Sequence, residues 1–422
     1  MRRNRVFVVG VGMTRFEKPL TKDWDYPDMG REAGQNALKD AGLAYEDVEA
    51  IAASYCYGEP TCGQRAAYEL GLTGIPVFNT NNNCSSGSSA LMLARLLVQS
   101  GMFNCVLALG FEKMERGLSE RYTDRTSPVK RHVDAMVQLG ADPRSISPAM
   151  TTMTSDVIKM FAYAAREHTA RYGTTTMQYA KIAHKNRKHG VHNPNACFRK
   201  ELPLEAIPKR SLCEPITSAM SAMTADGAAA AIVASEAFVR RRRLEGNAVE
   251  IVAQHMLTDL PSSFGSDFMN LCGVDMATVA AQRCFADSGL SIDDVDVIEV
   301  HDCFSCNELF MYEALGLCGR GKGGRLIDTA KWVTNRSGGE LCQLGGRWIV
   351  NPSGGLESKG HPIGATGLAQ CAELNWQLRG VAGKRQVDGA KIGLQHNFGL
   401  GSAAVVTLYK KYERDQTIHS RL

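Results

Sequence analysis

A cysteine placed where a strand turns into a helix is set up to act as a nucleophile, and Cys84 has that setting. The run Pro76-Val77-Phe78 favours a strand, and Asn81-Asn82-Asn83 favours a turn over its continuation. Small residues follow Cys84, and then Ala90-Leu91-Met92-Leu93-Ala94 opens a buried helix. The positive end of the helix dipole and its free N–H groups would favour a thiolate over a thiol. One cysteine among 13 is more often an inert core residue, so the helix start and the asparagines carry this reading.

Three further segments hold reactive groups. His301-Asp302-Cys303-Phe304-Ser305-Cys306-Asn307-Glu308 directly follows the strand-like run 295–300. Asn351-Pro352-Ser353-Gly354-Gly355 leads to Gly360-His361-Pro362-Ile363-Gly364-Ala365-Thr366-Gly367. Gln395-His396-Asn397-Phe398-Gly399-Leu400-Gly401 completes the set. His361, between small residues, is approachable as a general base, although a turn histidine would look the same. The Gly399 loop would let backbone N–H groups reach a substrate oxygen, or it is only a tight turn. Cys303-Phe304-Ser305-Cys306 with His301 has the look of a redox pair or half a zinc site. No second Cys-x-x-Cys pair exists to complete four ligands, so no metal is expected. A cysteine at a helix start, a histidine facing it and a second cysteine together spell acyl transfer through a thioester.

The elements that would position these groups alternate between strand and helix. Strands are expected at 6–11, 48–55, 76–79 and 105–110, with helices at 32–41, 64–70 and after Cys84. Such alternation predicts a parallel α/β sheet covered on both faces, with the reactive segments at the carboxyl ends of strands. Residues 111–225, rich in Met, Arg, Thr, Ser and Pro, read as an excursion that covers a site, and a strand returns at 228–234. Residues 249–254, 277–288, 295–300, 304–315, 348–350, 363–378, 391–395 and 403–409 continue the alternation, with a Gly-rich connection at 319–346. Asp40-Ala41-Gly42-Leu43-Ala44-Tyr45-Glu46-Asp47-Val48-Glu49-Ala50-Ile51 matches Asp287-Ser288-Gly289-Leu290-Ser291-Ile292-Asp293-Asp294-Val295-Asp296-Val297-Ile298. A weaker echo pairs the Cys84 segment with His361–Leu368, in the same order along the chain, which points to a duplicated unit.

Composition narrows the class. The chain has 422 residues, 44% hydrophobic and 22% charged, with a net charge of +4. That balance is ordinary for a globular enzyme and too weakly basic to argue for nucleic acid. No apolar run approaches the roughly 18 residues of a membrane span. The cysteines lack the pattern of a short disulfide scaffold and read as reduced intracellular thiols. Gly10-Val11-Gly12 begins a dinucleotide fingerprint, but Arg15 stands where its third glycine belongs. Residues 1–5 are followed at once by an apolar strand, leaving no room for a transit or signal peptide. Ser420-Arg421-Leu422 resembles the Ser-Lys-Leu address of peroxisomal import, so a peroxisome or glycosome is expected before a mitochondrion.

In their order along the chain, the four reactive segments resemble the active-site loops of thiolases. His301-Asp302-Cys303-Phe304 is similar to the sterol-carrier-protein-type branch, as are residues 58–64, 81–84, 107–114, 259–264, 351–371 and 384–386. Thiolases outside that branch carry Asn-Glu-Ala-Phe at the first of these and a Cys-x-Gly motif where Gln395-His396-Asn397 stands. The resemblance therefore implies that Cys303 replaces their second catalytic cysteine. It implies an α/β thiolase fold, a duplicated βαβαβαββ unit giving a layered α/β/α/β/α core with an inserted loop domain. Residues 1–111 and 226–247 would form one half, 112–225 the inserted domain and 248–422 the other half. Cys84 would carry the acyl group, His361 would take its proton, and Cys303 would act as acid and base. His301, Gly399, His396 and Asn397 would serve the oxyanion or support the site. Arg121, Arg125, Lys130 and Arg131 would meet the phosphates of coenzyme A, although a solvated basic face fits them equally. The resemblance implies 3-ketoacyl-CoA thiolysis with coenzyme A as co-substrate and no permanent cofactor. Alternatives are condensation of acyl-CoAs or a non-catalytic acyl-CoA or lipid binder of the same fold. A homodimer or dimer of dimers is implied, with the peroxisomal import receptor as a partner. The fused lipid-carrier domain common in that branch is not expected within these residues.

Overall fold

The computed structural model describes residues 4–114, 124–146, 153–265 and 267–413. Strand β1 (Val6–Met13) is buried along its whole length, and helix α1 (Tyr26–Ala41) returns across it. Asp25 caps α1 by accepting the Tyr26 N–H, and Gly42 ends it in the left-handed conformation. Strand β2 (Ala50–Ser54), helix α2 (Cys62–Ala67), strand β3 (Val77–Thr80), helix α3 (Ser86–Gln99) and strand β4 (Cys105–Glu112) follow. Helices α4 (Lys130–Gln138), α5 (Met153–Tyr172) and α6 (Thr176–Gly190) and the short strands β5 (Ser211–Cys213) and β6 (Ile216–Thr217) form the excursion. Strand β7 (Gly227–Ser235) rejoins the first sheet, and helix α7 (Glu236–Arg242) leads away from it. The second half begins with β8 (Val249–Leu257), α8 (Phe268–Leu271), α9 (Val274–Ser288), β9 (Val297–Glu299) and α10 (Ser305–Ala314). Helix α11 (Gly323–Asp328), strands β10 (Lys331–Thr334), β11 (Glu340–Leu344) and β12 (Trp348–Val350), and helix α12 (Gly355–Lys359) come next. Helix α13 (Thr366–Arg379) and strands β13 (Ile392–Gly399) and β14 (Ala403–Lys411) complete it.

The two halves repeat one topology. In the first the strand order is β1-β7-β4-β2-β3, and in the second it is β8-β14-β13-β9-β12. In both, the three inner and edge strands pair in parallel, and the last two strands of the unit pair antiparallel. The halves meet edge to edge where Phe7 pairs with Glu250 and Val8 with Val249. This is a duplicated βαβαβαββ unit with helices layered between and outside the sheets.

Helices α3 and α13 are equivalent in the two units and pack against each other in the middle layer. Ala90, Leu91, Ala94 and Val98 share one buried cluster with Leu368, Ala369 and Ala372. Close approach at their first turns needs glycine: a Cβ on Gly87 would lie 3.0 Å from Gly367 N, and one on Gly367 would lie 2.4 Å from Ser88 N. The two helix starts, and the reactive residues before them, are thereby brought together.

Several boundaries differ from expectation, α1 starting at Tyr26 rather than 32 and α2 spanning Cys62–Ala67 rather than 64–70, and two differences near the second half's loops have a clear physical reason. Helix α13 begins at Thr366 rather than 363, because Pro362–Ala365 forms a turn whose carbonyls take the first N–H groups, Pro362 O accepting from both Ala365 and Thr366. The Gly-rich stretch 319–346 is no plain connection. It holds α11 and the β10–β11 hairpin, whose turn uses Gly338 at φ 74°. Glycines that make turns between short elements give the same local signal as one continuous loop.

Candidate active site

Cys84, His301, Cys303 and His361 share the wall of one cavity of about 510 Å³. A ring nitrogen of His301, a ring nitrogen of His361 and Cys84 Sγ all lie within 4.8 Å of one another. The opposite wall comes from the excursion: Val157, Ile158 and Phe161 of α5, Arg187 of α6, and the segment Ser218–Thr224. Backbone pairing joins the two walls, since Ala222 N donates to Cys303 O at 2.9 Å and His361 N to Met223 O at 2.8 Å.

Cys84 differs from expectation in its charge state. It stands two residues before α3, and burial pushes its thiol up to about 12. The N–H groups of Cys84 itself and of Leu400 point to the sulfur and favour the thiolate, but desolvation outweighs them, and Glu112 adds to it. Cys84 is therefore a thiol at rest and needs a base.

His361 is arranged to be that base. Its Nδ1 lies 2.6 Å from Thr366 Oγ1, and this hydroxyl donates to Pro362 O at 3.0 Å. The Thr366 oxygen is left to accept, so Nδ1 carries the proton and Nε2 presents a lone pair. That Nε2 is buried without a hydrogen-bond partner among the described residues. Burial lowers its pKa to about 3, so the ring is neutral.

Asn397 fixes the other imidazole. Its Oδ1 accepts from Ser88 Oγ at 2.8 Å, which turns its Nδ2 toward His301 Nδ1 at 3.1 Å and Cys84 O at 3.1 Å. His301 Nδ1 is thus an acceptor, and its proton sits on Nε2 as a donor. Burial holds the His301 ring well below its usual pKa, and His361 and His396 push it the same way.

Cys303 lines the cavity beside Cys84, with burial and the Cys84 sulfur both raising its thiol. Asp302 points away from the cavity, accepting the N–H groups of Leu356 at 2.7 Å and Glu357 at 3.2 Å. Asn186 Nδ2 joins Asp302, Glu308 and Glu357, and Lys185 pairs with Glu308 at 2.7 Å. Asp302 and Glu308 therefore hold the loop that carries Cys303.

The remaining expected residues have other places. Gly399 ends β13 in register with Ala403, and a Cβ on it would lie 2.1 Å from Asn82 O. Its absence of a side chain seats the Cys84 turn, while the N–H that reaches Cys84 is that of Leu400. His396 is buried outside the cavity, and neither ring nitrogen has a partner among the described residues. The basic residues do not reach the cavity: Arg125 pairs with Asp124, Lys130 with Asp134, and Arg131 lies over the Phe264 ring. They are exposed just before α4 and on its first turn, and the cations that do line the cavity are Arg187 and Arg210. Arg121, Ser420, Arg421 and Leu422 lie outside the described residues. Sequence reasoning passed over Thr366, Leu400, Arg187 and Glu112. Glu112 accepts the N–H groups of Cys56, Tyr57 and Gly364 and ties two active-site loops together. A carboxylate closing the apolar run 105–111 was its only signal.

Residues 6–214 match the family description "Thiolase, N-terminal domain", and residues 265–411 match "Thiolase C-terminal domain-like". The chain is 55% identical over 412 residues to "Sterol carrier protein 2" of Oryctolagus cuniculus, covering 96% of this chain and 72% of that protein. It is 45% identical over 414 residues to "Non-specific lipid-transfer protein-like 2" of Caenorhabditis elegans, covering 96% of each. The solved structure of human mitochondrial 3-ketoacyl-CoA thiolase in complex with CoA has a TM-score of 0.69 and 18% identity, over 97% of this chain and 98% of that one. At that identity the likeness speaks to the fold. The length and level of the match to the first two relatives, with both halves of the fold present, show that the chain belongs to the thiolases, in their sterol-carrier-protein-type branch.

Proposed function

We propose that this thiolase cleaves 3-ketoacyl-CoA with coenzyme A, giving a shortened acyl-CoA and acetyl-CoA, or propionyl-CoA from 2-methyl substrates. Cys84 Sγ attacks the 3-keto carbon as its proton passes to His361 Nε2, and the oxyanion meets the N–H groups of Cys84 and Leu400. The C2–C3 bond then breaks, leaving an acyl thioester on Cys84 and the enolate of the departing acyl-CoA. His301 Nε2–H faces the enolate oxygen, and Cys303 protonates the enolate carbon. The Cys303 thiolate next takes the proton of incoming coenzyme A, whose sulfur attacks the thioester and expels Cys84. Cys84 recovers its proton from His361, and the site is restored. A buried site strengthens each of these interactions, and one oxyanion donor is typically worth about 10²–10³ in turnover.

The observation that carries this reading is the free Nε2 of a neutral His361 beside the Cys84 thiol, with a second thiol on the same cavity wall. In this reading residues 112–225 cover the substrate, and residues 1–111 with 226–247, and 248–422, each supply one central helix start. The protein works as a homodimer or a larger assembly in a peroxisome or related organelle, entering it through Ser420, Arg421 and Leu422. The test is thiolysis of straight-chain and 2-methyl 3-ketoacyl-CoA substrates by the wild type and Cys303→Ala. Full thiolysis by Cys303→Ala would remove Cys303 from the mechanism.

A further inference from the structure

The cavity wall carries a cation that thiolysis of a plain acyl chain does not use. Arg187 is 8% exposed, lines the cavity, and makes no hydrogen bond or ion pair to any described residue. Its Nε is buried without a partner, and its guanidinium stacks on Phe198 at 4.0 Å from the ring centre. Glu357 acts on it electrostatically but makes no hydrogen bond to it, accepting instead from Ser305 Oγ at 2.6 Å and Asn186 Nδ2 at 3.1 Å. A buried Nε–H left without an acceptor is costly, and the stacking fixes the plane of the guanidinium without supplying one. The remaining requirement is for an acceptor brought in by a ligand.

We propose that Arg187 binds a carboxylate carried on the acyl chain, making ω-carboxylated 3-ketoacyl-CoA a preferred substrate class of this site. The inference rests on the acyl-CoA reading above. A carboxylate meets the planar fork with two parallel hydrogen bonds and cancels its charge, which an amide or keto oxygen does not. The phosphates of coenzyme A are the other source of anionic oxygen. Burial favours the acyl group: Arg187 is withdrawn from solvent, whereas the exposed Arg210 is the other cation on the cavity wall and suits a phosphate in contact with water.

The test is equilibrium binding by calorimetry, with a saturated ω-carboxyacyl-CoA and the plain acyl-CoA of equal length. Neither can be thiolysed, so the outcome is independent of whether the protein is a thiolase in the direction proposed. Wild type is expected to favour the carboxylated ligand, and Arg187→Met to reduce that preference about 10–100-fold, the value of a hydrogen-bonded ion pair. Arg187→Lys keeps the charge without the fork and should recover part of it. Equal weakening of both ligands by Arg187→Met would assign Arg187 to the coenzyme A phosphates and overturn the proposal. Equal affinity of the wild type for both ligands would overturn it as well. Thermal melting of each variant reports whether it is folded. Turnover of 3-ketoacyl substrates, measured separately, reports on the thiolase reading alone.

Discussion

Thr366 Oγ1 lies 2.6 Å from His361 Nδ1 and decides which nitrogen of that ring carries the proton. Because the same hydroxyl donates to Pro362 O, the imidazole must offer its bare Nε2 to the cavity. Thr366→Val keeps the shape and removes this bond. It should lower kcat about 10–100-fold, the usual cost of losing a hydrogen bond that orients a reactive histidine. Thr366→Ser should restore most of the rate. A steady-state assay of the three proteins decides it, and an unchanged rate in Thr366→Val would free His361 from this tautomer.

Asn397 gives a second, independent handle. Asn397→Asp would place a carboxylate against His301 Nδ1, draw a proton there and favour an imidazolium over the neutral ring. Its loss of the Nδ2 bond to Cys84 O also loosens the nucleophile turn. The expected fall in kcat is about 10²–10³, comparable to removing an oxyanion donor. Titration of the His301 ring by NMR should show its pKa raised in the variant. An unshifted ring would contradict the assignment.

Gly399 is predicted to be intolerant for reasons of space. A Cβ there meets Asn82 O at 2.1 Å and Ser85 N at 2.9 Å, both backbone atoms of the Cys84 turn. Gly399→Ala should destabilise the protein by about 1–3 kcal/mol, the typical cost of overpacking, and should slow the first chemical step as Cys84 is displaced. Thermal melting with single-turnover acylation measures both effects. A stable, fully active variant would contradict the packing described.

His396 should leave a mark on the pH dependence of stability. Its folded pKa is lowered to about 3 by burial, against about 6.5 when unfolded. The unfolded chain therefore binds the extra proton first as pH falls, and stability is lost from pH 6.5 downward. At pH 5.5 this group alone costs on the order of 1 kcal/mol relative to neutral pH. His396→Leu should show a smaller fall in Tm between pH 7.5 and 5.5 than the wild type. An identical fall would mean that His396 charges without penalty in the folded state.

The legible parts of this chain were those written in local pattern. Strand and helix alternation, the Asp40 and Asp287 repeat, and the reactive residues at strand ends gave the duplicated fold and its crevice. Packing gave what local pattern does not encode. The charge of Cys84 depends on burial by residues far along the chain, so helix-dipole reasoning gave the wrong direction. The basic charge of Arg125, Lys130 and Arg131 suggests phosphate binding, yet all three are exposed, before α4 or on its first turn, and away from the cavity. Arg187 and Arg210 arrive at the cavity from α6 and the segment after it. Thr366 carried no signal alone, since its role exists only once Pro362–Ala365 folds back as a turn.

Intact-mass spectrometry after brief mixing with acetoacetyl-CoA tests the central claim most directly. The account predicts one acyl group on the wild type, mapped to Cys84 by peptide analysis. It predicts the same adduct, longer lived, on Cys303→Ala, and none on Cys84→Ala. An acyl group on Cys303, or a Cys84→Ala protein that still turns over, would contradict it.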